Sequence, residues 1–86
     1  MKKIKIYSIP ECKYCNELKE LLTKDGIEYE DVNIMLQENA KEYEKIYEAT
    51  KSEQVPIVLI GKQLLVPEVS FKSITEAATL TKNFLG

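Results

Sequence analysis

The sequence contains two cysteines, and only two residues separate them, in the run Cys12-Lys13-Tyr14-Cys15. Thiol–disulfide exchange needs one thiolate that attacks a disulfide and a second thiol close enough to resolve the mixed disulfide. Residues three apart on a helix share a face, so the two thiols can be bridged if Cys12 lies at the first turn of a helix. The pair therefore indicates redox chemistry.

A position at a helix start would also make the two cysteines unequal. Free backbone N–H groups and the positive end of the helix dipole stabilise a thiolate there, and they lower the pKa of such a thiol from about 8.5 toward roughly 3.5–7.5. Lys13 adds a nearby positive charge, whereas Cys15 lies one turn further in, where access is poorer and the dipole effect fades. We therefore predict that Cys12 attacks and that Cys15 resolves.

The composition of the chain limits which other reactions or metal sites the cysteine pair could serve. The chain has no histidine, which excludes a hydrolase that uses a cysteine nucleophile and a histidine base. A zinc site of the usual kind needs four protein ligands, and the pair supplies two, so we expect no metal requirement. The remaining alternative is two small buried hydrophobic residues. Their predicted place, after a strand and at a helix start, favours the redox interpretation.

Length and charge indicate a small single-domain protein. Eighty-six residues leave room for one core, so residues 1–86 are predicted to form one domain. The formal net charge is −2 and basic residues are scattered among acidic ones, so nucleic acid is not an expected partner. Because we find neither the apolar stretch of a secretory signal nor a membrane span, we expect a cytoplasmic protein. A close cysteine pair is more often catalytic than structural in that compartment.

The hydrophobic pattern predicts the elements that position the pair. Isoleucines alternate with lysines and a tyrosine over residues 3–7, which predicts a strand with one buried face. Pro10 ends this strand. Leucines at helical spacing follow the cysteines, and Gly26 is suited to the left-handed cap that closes their helix. Residues 27–34 are rich in β-branched and aromatic residues, which predicts a second strand.

A second helix is predicted from Asn39 to about Thr50. Asn39 and Glu42 resemble a capping box, in which each side chain accepts a hydrogen bond from a free N–H of the first turn. Glu42 is also assigned to a solvated helix face, together with Glu44, Lys45 and Glu48.

The last third of the chain predicts a hairpin followed by a helix. Residues 57–60 form a strand, Gly61-Lys62 a tight turn and residues 64–66 a second strand, after which Ser70 or Ser73 caps a last helix. The order is β-α-β-α-β-β-α. A strand, a crossover helix and a strand imply a parallel pair, whereas the hairpin is antiparallel. The predicted fold is α/β, with a mixed four-stranded sheet flanked by three helices.

With these elements in place, the chain resembles the glutaredoxins, and more broadly the thioredoxin fold, over nearly its whole length. Residues 7–15, Tyr-Ser-Ile-Pro-Glu-Cys-Lys-Tyr-Cys, are similar to the family's active-site segment, which commonly ends Cys-Pro-Tyr-Cys. Gln54-Val55-Pro56 is similar to its Thr-Val-Pro segment before the third strand. The resemblance implies a monomeric dithiol glutaredoxin that reduces protein disulfides or glutathione mixed disulfides, with glutathione as the reducing co-substrate.

The resemblance also implies roles for three further residues. The Val55-Pro56 bond would be cis, so that the backbone of Val55 faces Cys12 and pairs with glutathione or an extended substrate peptide. Tyr14 would supply an aromatic wall for glutathione. Packing on the helix surface is the alternative for Tyr14, and an ordinary trans proline is the alternative for Pro56.

Three departures from the family pattern concern glutathione. Lys13 replaces the usual proline between the cysteines. Ile9 stands where the family often has a lysine that pairs with the glycine carboxylate of glutathione. Residues 65–70, Leu-Val-Pro-Glu-Val-Ser, lack the family's Gly-Gly segment and the aspartate that hold the γ-glutamyl end.

Two alternative functions therefore stay open. The first is a redoxin that is reduced by a flavoprotein thioredoxin reductase and donates electrons to an enzyme such as ribonucleotide reductase. The second is a binding module in which cysteine thiolates and glutathione ligate a [2Fe–2S] cluster between two subunits, since one chain lacks the four cysteines usually needed.

Overall fold

The structure is a computed structural model that describes residues 3–85. Over these residues the order of helices and strands is the predicted β-α-β-α-β-β-α. The strands are β1 (Ile4–Ser8), β2 (Glu30–Asn33), β3 (Ile57–Ile60) and β4 (Gln63–Leu65), and the α-helices are α1 (Lys13–Lys24), α2 (Ala40–Thr50) and α3 (Ile74–Leu85). A short 3-10 helix at Gln37–Asn39 precedes α2. In this part of the chain, we find no helix with the length and apolar character that a membrane crossing requires.

The four strands form one mixed sheet in the order β2-β1-β3-β4. β1 runs parallel to β2, with Ser8 opposite Asn33, and antiparallel to β3, with Tyr7 opposite Ile57. A turn at Gly61, which has a positive φ of 60°, connects β3 to the antiparallel β4. The carboxyl ends of β1 and β2 and the start of β3 therefore meet at one edge, which we call the cysteine end because the chain continues from β1 into the cysteine pair.

The helices cover the two faces of the sheet with cores of unequal size. The core under α1 and α3 consists of Ile4, Ile6, Leu18, Leu22, Val58, Ile60, Leu65, Phe71, Ala77 and Ala78. The core under α2 consists of Tyr7, Val32, Ile46 and Ile57. Tyr7 is 1% exposed, so the prediction that β1 has a single buried face is wrong. A central strand that is covered by helices on both sides buries both sets of side chains.

The end of α1 explains why β2 is shorter than the predicted strand at residues 27–34. Gly26 adopts the expected left-handed conformation, with φ 73°. The N–H of Ile27 then donates to the backbone oxygen of Leu22 (2.9 Å), which satisfies one of the last carbonyl groups of the helix. Ile27 therefore belongs to the helix end, and pairing with β1 includes only residues 30–33.

α2 begins after Asn39, as predicted, but the predicted capping box is wrong. The Asn39 side-chain amide donates to the backbone oxygen of Asn33 (2.9 Å). Glu42 turns toward the sheet, where its carboxylate accepts hydrogen bonds from Lys5 Nζ (3.0 Å) and from the Tyr7 hydroxyl (2.8 Å). The assignment of Glu42 to a solvated face is wrong for the same reason: a buried hydroxyl and an ammonium group on β1 are stronger partners than water.

Replacement of Glu42 by glutamine should destabilise the fold in a pH-dependent way. The hydrogen bonds from Tyr7 and Lys5 hold the pKa of Glu42 below its usual value. A carboxyl group whose pKa is lower in the folded state stabilises the fold above its unfolded pKa, and this stabilisation is lost as the pH falls through the folded value. We expect a loss of about 1 kcal/mol at pH 7 and a smaller difference below pH ~4, measured by urea unfolding at both pH values.

Glu44→Gln is the matched control, because it removes the same charge from an exposed position on α2. We expect its free energy of unfolding to stay within about 0.5 kcal/mol of the natural chain at both pH values. An equal loss in both variants would contradict the assigned role of the contacts to Tyr7 and Lys5.

Candidate active site

Cys12 is the N-cap residue of α1, directly after the loop that leaves β1. Its backbone is extended, with φ −87° and ψ 110°. Its N–H donates to the backbone oxygen of Ile9 (3.3 Å), and its own oxygen accepts the N–H of Asn16 (3.1 Å), which is the first hydrogen bond of the helix. Cys12 therefore lies at the helix start, as the sequence predicts.

Cys12 and Cys15 form a disulfide, with their Cα atoms 5.2 Å apart. Cys15 is 0% exposed, whereas Cys12 is partly exposed. The backbone N–H of Cys15 donates to Cys12 Sγ (3.1 Å). In the reduced protein, the same N–H and the dipole of α1 favour a negative charge on the Cys12 sulfur. The arrangement gives an outside disulfide access to Cys12 and shields Cys15 from it.

A groove of about 220 Å³ brings the helix start together with the segment before β3. Its lining residues are Tyr14, Gln54, Val55, Pro56, Pro67, Glu68, Phe71, Lys72, Ser73 and Ile74. The Val55-Pro56 bond is cis, as the resemblance implies. Tyr7 lies opposite Ile57, so Pro56, directly before Ile57, lies at the end of the sheet where β1 continues into the loop that carries Cys12. Tyr14 is 61% exposed, so its ring is available on the groove surface.

A closed turn at residues 67–71 lines part of the groove. Pro67 pairs with Phe71 in an isolated bridge, and Phe71 anchors the turn in the core at 4% exposure. Glu68 has a positive φ of 67°, and its N–H donates to the backbone oxygen of Phe71 (2.8 Å). The part of the chain without the family's glycine pair therefore contributes a carboxylate to the groove.

The start of α3 carries a second carboxylate next to the groove. Ser73 is the cap, since its hydroxyl accepts the N–H of Glu76 (3.1 Å) and its backbone oxygen accepts the N–H of Ala77 (3.0 Å). Glu76 Oε1 accepts the N–H of Lys72 (2.7 Å) in turn. The negative charge of Glu76 therefore lies at the positive end of the α3 dipole, where an anionic ligand would otherwise be favoured.

A polar network lies under the loop that leads to Cys12. The hydroxyl of Ser8, which is 1% exposed, donates to Asp31 Oδ1 (2.7 Å). Lys19 Nζ lies 2.9 Å from Asp31 Oδ2. These contacts connect the end of β1, the strand β2 and the second turn of α1. They fix the position of α1, which carries the cysteine pair at its start, relative to the two strands.

Phe71, Glu76 and Asp31 lie in or next to the site without having been predicted from the sequence. Ser73 and Glu76 have the Ser-x-x-Glu spacing of a capping box, and this local signal favours Ser73 over Ser70 as the cap of α3. Phe71 and Asp31 carry no such signal. Their roles depend on partners elsewhere in the fold, and a hydrophobic or acidic residue in a loop does not reveal such partners.

Comparison with known sequences identifies a family. The model of the glutaredoxin family matches residues 4–65. An uncharacterised glutaredoxin-like 8.6 kDa protein of the rubredoxin operon in Clostridium pasteurianum is 36% identical over 63 residues, which are 73% of this chain and 81% of that protein.

Solved structures share the fold. Reduced glutaredoxin C1 from Populus tremula x tremuloides superposes with a TM-score of 0.68 at 25% identity, over 95% of this chain and 67% of that one. The glutaredoxin-like NrdH-redoxin from Escherichia coli, which has a thioredoxin-like activity profile, superposes with a TM-score of 0.59 at 24% identity, over 72% of this chain and 78% of that one. The predicted thioredoxin-like fold is therefore confirmed.

Proposed function

Because the chain belongs to the glutaredoxin family, we propose that it is a glutathione-dependent thiol–disulfide oxidoreductase that reduces protein disulfides or glutathione mixed disulfides. One observation carries this proposal. A partly exposed Cys12 Sγ accepts an N–H at the start of α1 and shares a disulfide with a fully buried Cys15. This arrangement supports one attacking and one resolving thiol.

The proposed reaction begins with the reduced pair. The Cys12 thiolate attacks one sulfur of the substrate disulfide, a new S–S bond joins Cys12 to that sulfur, and the other substrate sulfur leaves as a thiolate that takes up a proton. Cys15 then loses its proton and attacks Cys12 Sγ, which releases the second substrate thiol. The substrate gains two electrons from the pair and two protons, one that Cys15 gives up and one from solvent, and the protein is left with the Cys12–Cys15 disulfide.

Glutathione is the proposed source of the electrons that restore the dithiol. Two molecules of glutathione reduce the Cys12–Cys15 disulfide in two exchange steps, and they leave as glutathione disulfide. The groove that Tyr14 lines, two residues after Cys12, is the proposed binding site. There the backbone of Val55, next to Pro56, pairs with the extended ligand, and Tyr14 packs against it.

The carboxylate at the start of α3 favours a second candidate, a redoxin that is reduced by a flavoprotein thioredoxin reductase and passes electrons to an enzyme such as ribonucleotide reductase. Glutathione carries two carboxylates. Glu68 lines the groove, and the Glu76 carboxylate already accepts an N–H at the start of α3. Lys72 lines the groove as well and offsets the charge of Glu68. Glu76 adds a negative charge at the start of α3 that opposes an anionic ligand there.

A comparison of reductants separates the two candidates. Turnover of a glutathione mixed disulfide is measured with glutathione and glutathione reductase, and then with NADPH and a thioredoxin reductase. A higher kcat/KM with the first system supports the glutathione-dependent function. A strong preference for the second system would overturn it in favour of the redoxin.

Replacement of Glu76 by glutamine should improve the use of glutathione. Glutamine keeps an oxygen that can accept the Lys72 N–H but removes the negative charge from the start of α3. We expect the KM for glutathione to fall roughly two- to fivefold, the effect of one charge near a helix end, with kcat unchanged. Steady-state kinetics with Glu44→Gln as the control checks this, and an unchanged KM in both variants would contradict a role for Glu76 in ligand choice.

A further inference from the structure

The second exchange step requires a buried thiol to lose its proton. Cys15 carries that thiol in the reduced protein, and its side chain is 0% exposed. Although Cys15 is fully buried, it belongs to neither of the two apolar cores. Water therefore has no direct access to the proton that must leave before Cys15 Sγ can attack Cys12 Sγ.

Ser8 lies on the same side of the sheet as Cys15. Side chains alternate along a strand, and Ile6, two residues before Ser8, belongs to the core under α1 and α3 together with Leu18. From Leu18, Cys15 lies about 4.5 Å toward the start of α1. From Ile6, Ser8 lies about 6.6 Å toward the end of β1. Both steps lead to the cysteine end, so the buried Cys15 and Ser8, which is 1% exposed, come together there.

A set of polar contacts also connects the helix turn after Cys15 to Ser8. Lys19 lies four residues after Cys15 on α1, so the two residues are neighbours on one face of the helix. Lys19 Nζ pairs with Asp31 Oδ2 (2.9 Å), and Asp31 Oδ1 accepts the Ser8 hydroxyl (2.7 Å). The direction of the Ser8 O–H bond is therefore fixed toward Asp31.

The Ser8 oxygen keeps the capacity to accept a proton. A hydroxyl donates one hydrogen bond and can accept two. Ser8 donates to Asp31, and over residues 3–85 we find no N–H or O–H group that donates to Ser8 Oγ. The Asp31 side chain is 48% exposed. The contacts therefore lead from a buried hydroxyl with free lone pairs to a carboxylate that water reaches.

We propose that Ser8 and Asp31 form the path by which the Cys15 thiol loses its proton. When Cys12 is held in a mixed disulfide, the Cys15 S–H bond breaks and its proton goes to Ser8 Oγ. The proton of the Ser8 hydroxyl goes to Asp31 Oδ1, from which water removes it. The electron pair on Cys15 Sγ forms the bond to Cys12 Sγ. The substrate sulfur leaves as a thiolate and takes up a proton from water, which balances the proton that Asp31 gave up.

The inference rests on the proposed redox function and adds two residues to its second step. The first step does not use the path, because Cys12 is partly exposed and attacks as a thiolate. Lys19 holds one oxygen of Asp31 and leaves the other to Ser8. The other charged residues of the cysteine loop, the first turns of α1 and the groove are exposed, namely Glu11, Lys13, Glu17, Glu68, Lys72 and Glu76.

The test measures the two exchange steps separately in the full chain. Reduced protein is mixed with an excess of bis(2-hydroxyethyl) disulfide, and samples are quenched with acid at set times. Mass spectrometry then gives the amounts of reduced protein, of the mixed disulfide with 2-mercaptoethanol and of oxidised protein. This substrate is uncharged and needs no glutathione, so the result does not depend on which reductant serves the protein.

We expect Ser8→Ala to form the mixed disulfide at the natural rate and to resolve it roughly tenfold to a hundredfold more slowly, as for the loss of a positioned proton acceptor. Its resolving rate should rise with pH between about 6 and 9, because hydroxide must then remove the proton, whereas the natural rate should change much less. Ser8→Thr keeps the hydroxyl and should restore the natural rate.

Asp31→Asn tests the other end of the path. Asparagine keeps an oxygen that accepts the Ser8 hydroxyl but does not take up its proton, so we expect resolution to slow as in Ser8→Ala. Glu30→Gln is the matched control. It removes a carboxylate from the neighbouring position of β2, where the Glu30 side chain is 61% exposed, and both steps should keep their natural rates.

The outcomes separate this path from the redox function. If the natural chain does not reduce the disulfide, the proposed function fails and the path fails with it. If it does, the path is overturned while the function stands when Ser8→Ala resolves at the natural rate, slows both steps equally, or is not rescued by Ser8→Thr. Circular dichroism and the urea midpoint of each variant show that a selective loss of resolution is not a loss of folding.

Discussion

Cys12→Ser should abolish the reduction of every disulfide substrate, with a loss of at least about a thousandfold in kcat/KM. A serine hydroxyl is a far weaker nucleophile than a thiolate at neutral pH, and no other thiol in the chain is accessible, because Cys15, in the first turn of α1, is fully buried. The measurement is a steady-state assay of a glutathione mixed disulfide with glutathione and glutathione reductase.

Cys15→Ser is the informative control, because it removes the resolving thiol and leaves Cys12 at the helix start with the backbone N–H of residue 15 still available. This variant should retain turnover of the glutathione mixed disulfide, since a second glutathione can attack the sulfur on Cys12. It should also accumulate a covalent adduct with protein disulfides, visible by mass spectrometry. Normal turnover by Cys12→Ser, or equal losses in both variants, would contradict the assigned roles.

Leu18→Ala should lower the free energy of unfolding by about 2–5 kcal/mol. Leu18 is 0% exposed and lies on the buried face of α1, in the core that includes Ile6 and Val58. Truncation removes apolar contacts and leaves a cavity that close-packed neighbours fill only in part. Since small domains are stable by only about 5–15 kcal/mol, urea unfolding should detect the change readily.

Leu85→Ala deletes the same atoms from a side chain that is 38% exposed, and its cost should be well under that of Leu18→Ala. If the two variants lose equal stability, the packing described for the core under α1 and α3 is wrong. A loss of activity in Leu18→Ala at temperatures where it stays folded would show that this core also positions Cys12.

The order of elements and the redox pair could be predicted from the sequence because both depend on residues that are close together in it. Alternation, helical spacing and the Cys-x-x-Cys spacing are local patterns. The cis bond before Pro56 was expected only through the resemblance, because an isolated Val-Pro pair is ordinarily trans.

The predictions that failed concern contacts between distant parts of the chain. Glu42 looks like a cap or a surface residue from its neighbours, yet its partners Tyr7 and Lys5 are more than 30 positions away in the sequence. The burial of Tyr7 has the same origin, since α2 covers a face of β1 that alternation alone assigns to solvent. Such contacts follow from how α2 packs on the sheet, which local patterns do not specify.

The pairing of β1 with β3 joins two halves of the chain that contribute different parts of the site. The first half, through β2, carries the reacting sulfurs, and the second half, from Val55 onward, carries most of the groove. Within the sheet, only the ladder between β1 and β3 joins them. If the proposed function holds, substitutions at Glu68 or Glu76 would change which thiol the protein accepts and would leave the cysteine chemistry as it is. Ligand preference and reactivity can diverge separately during evolution.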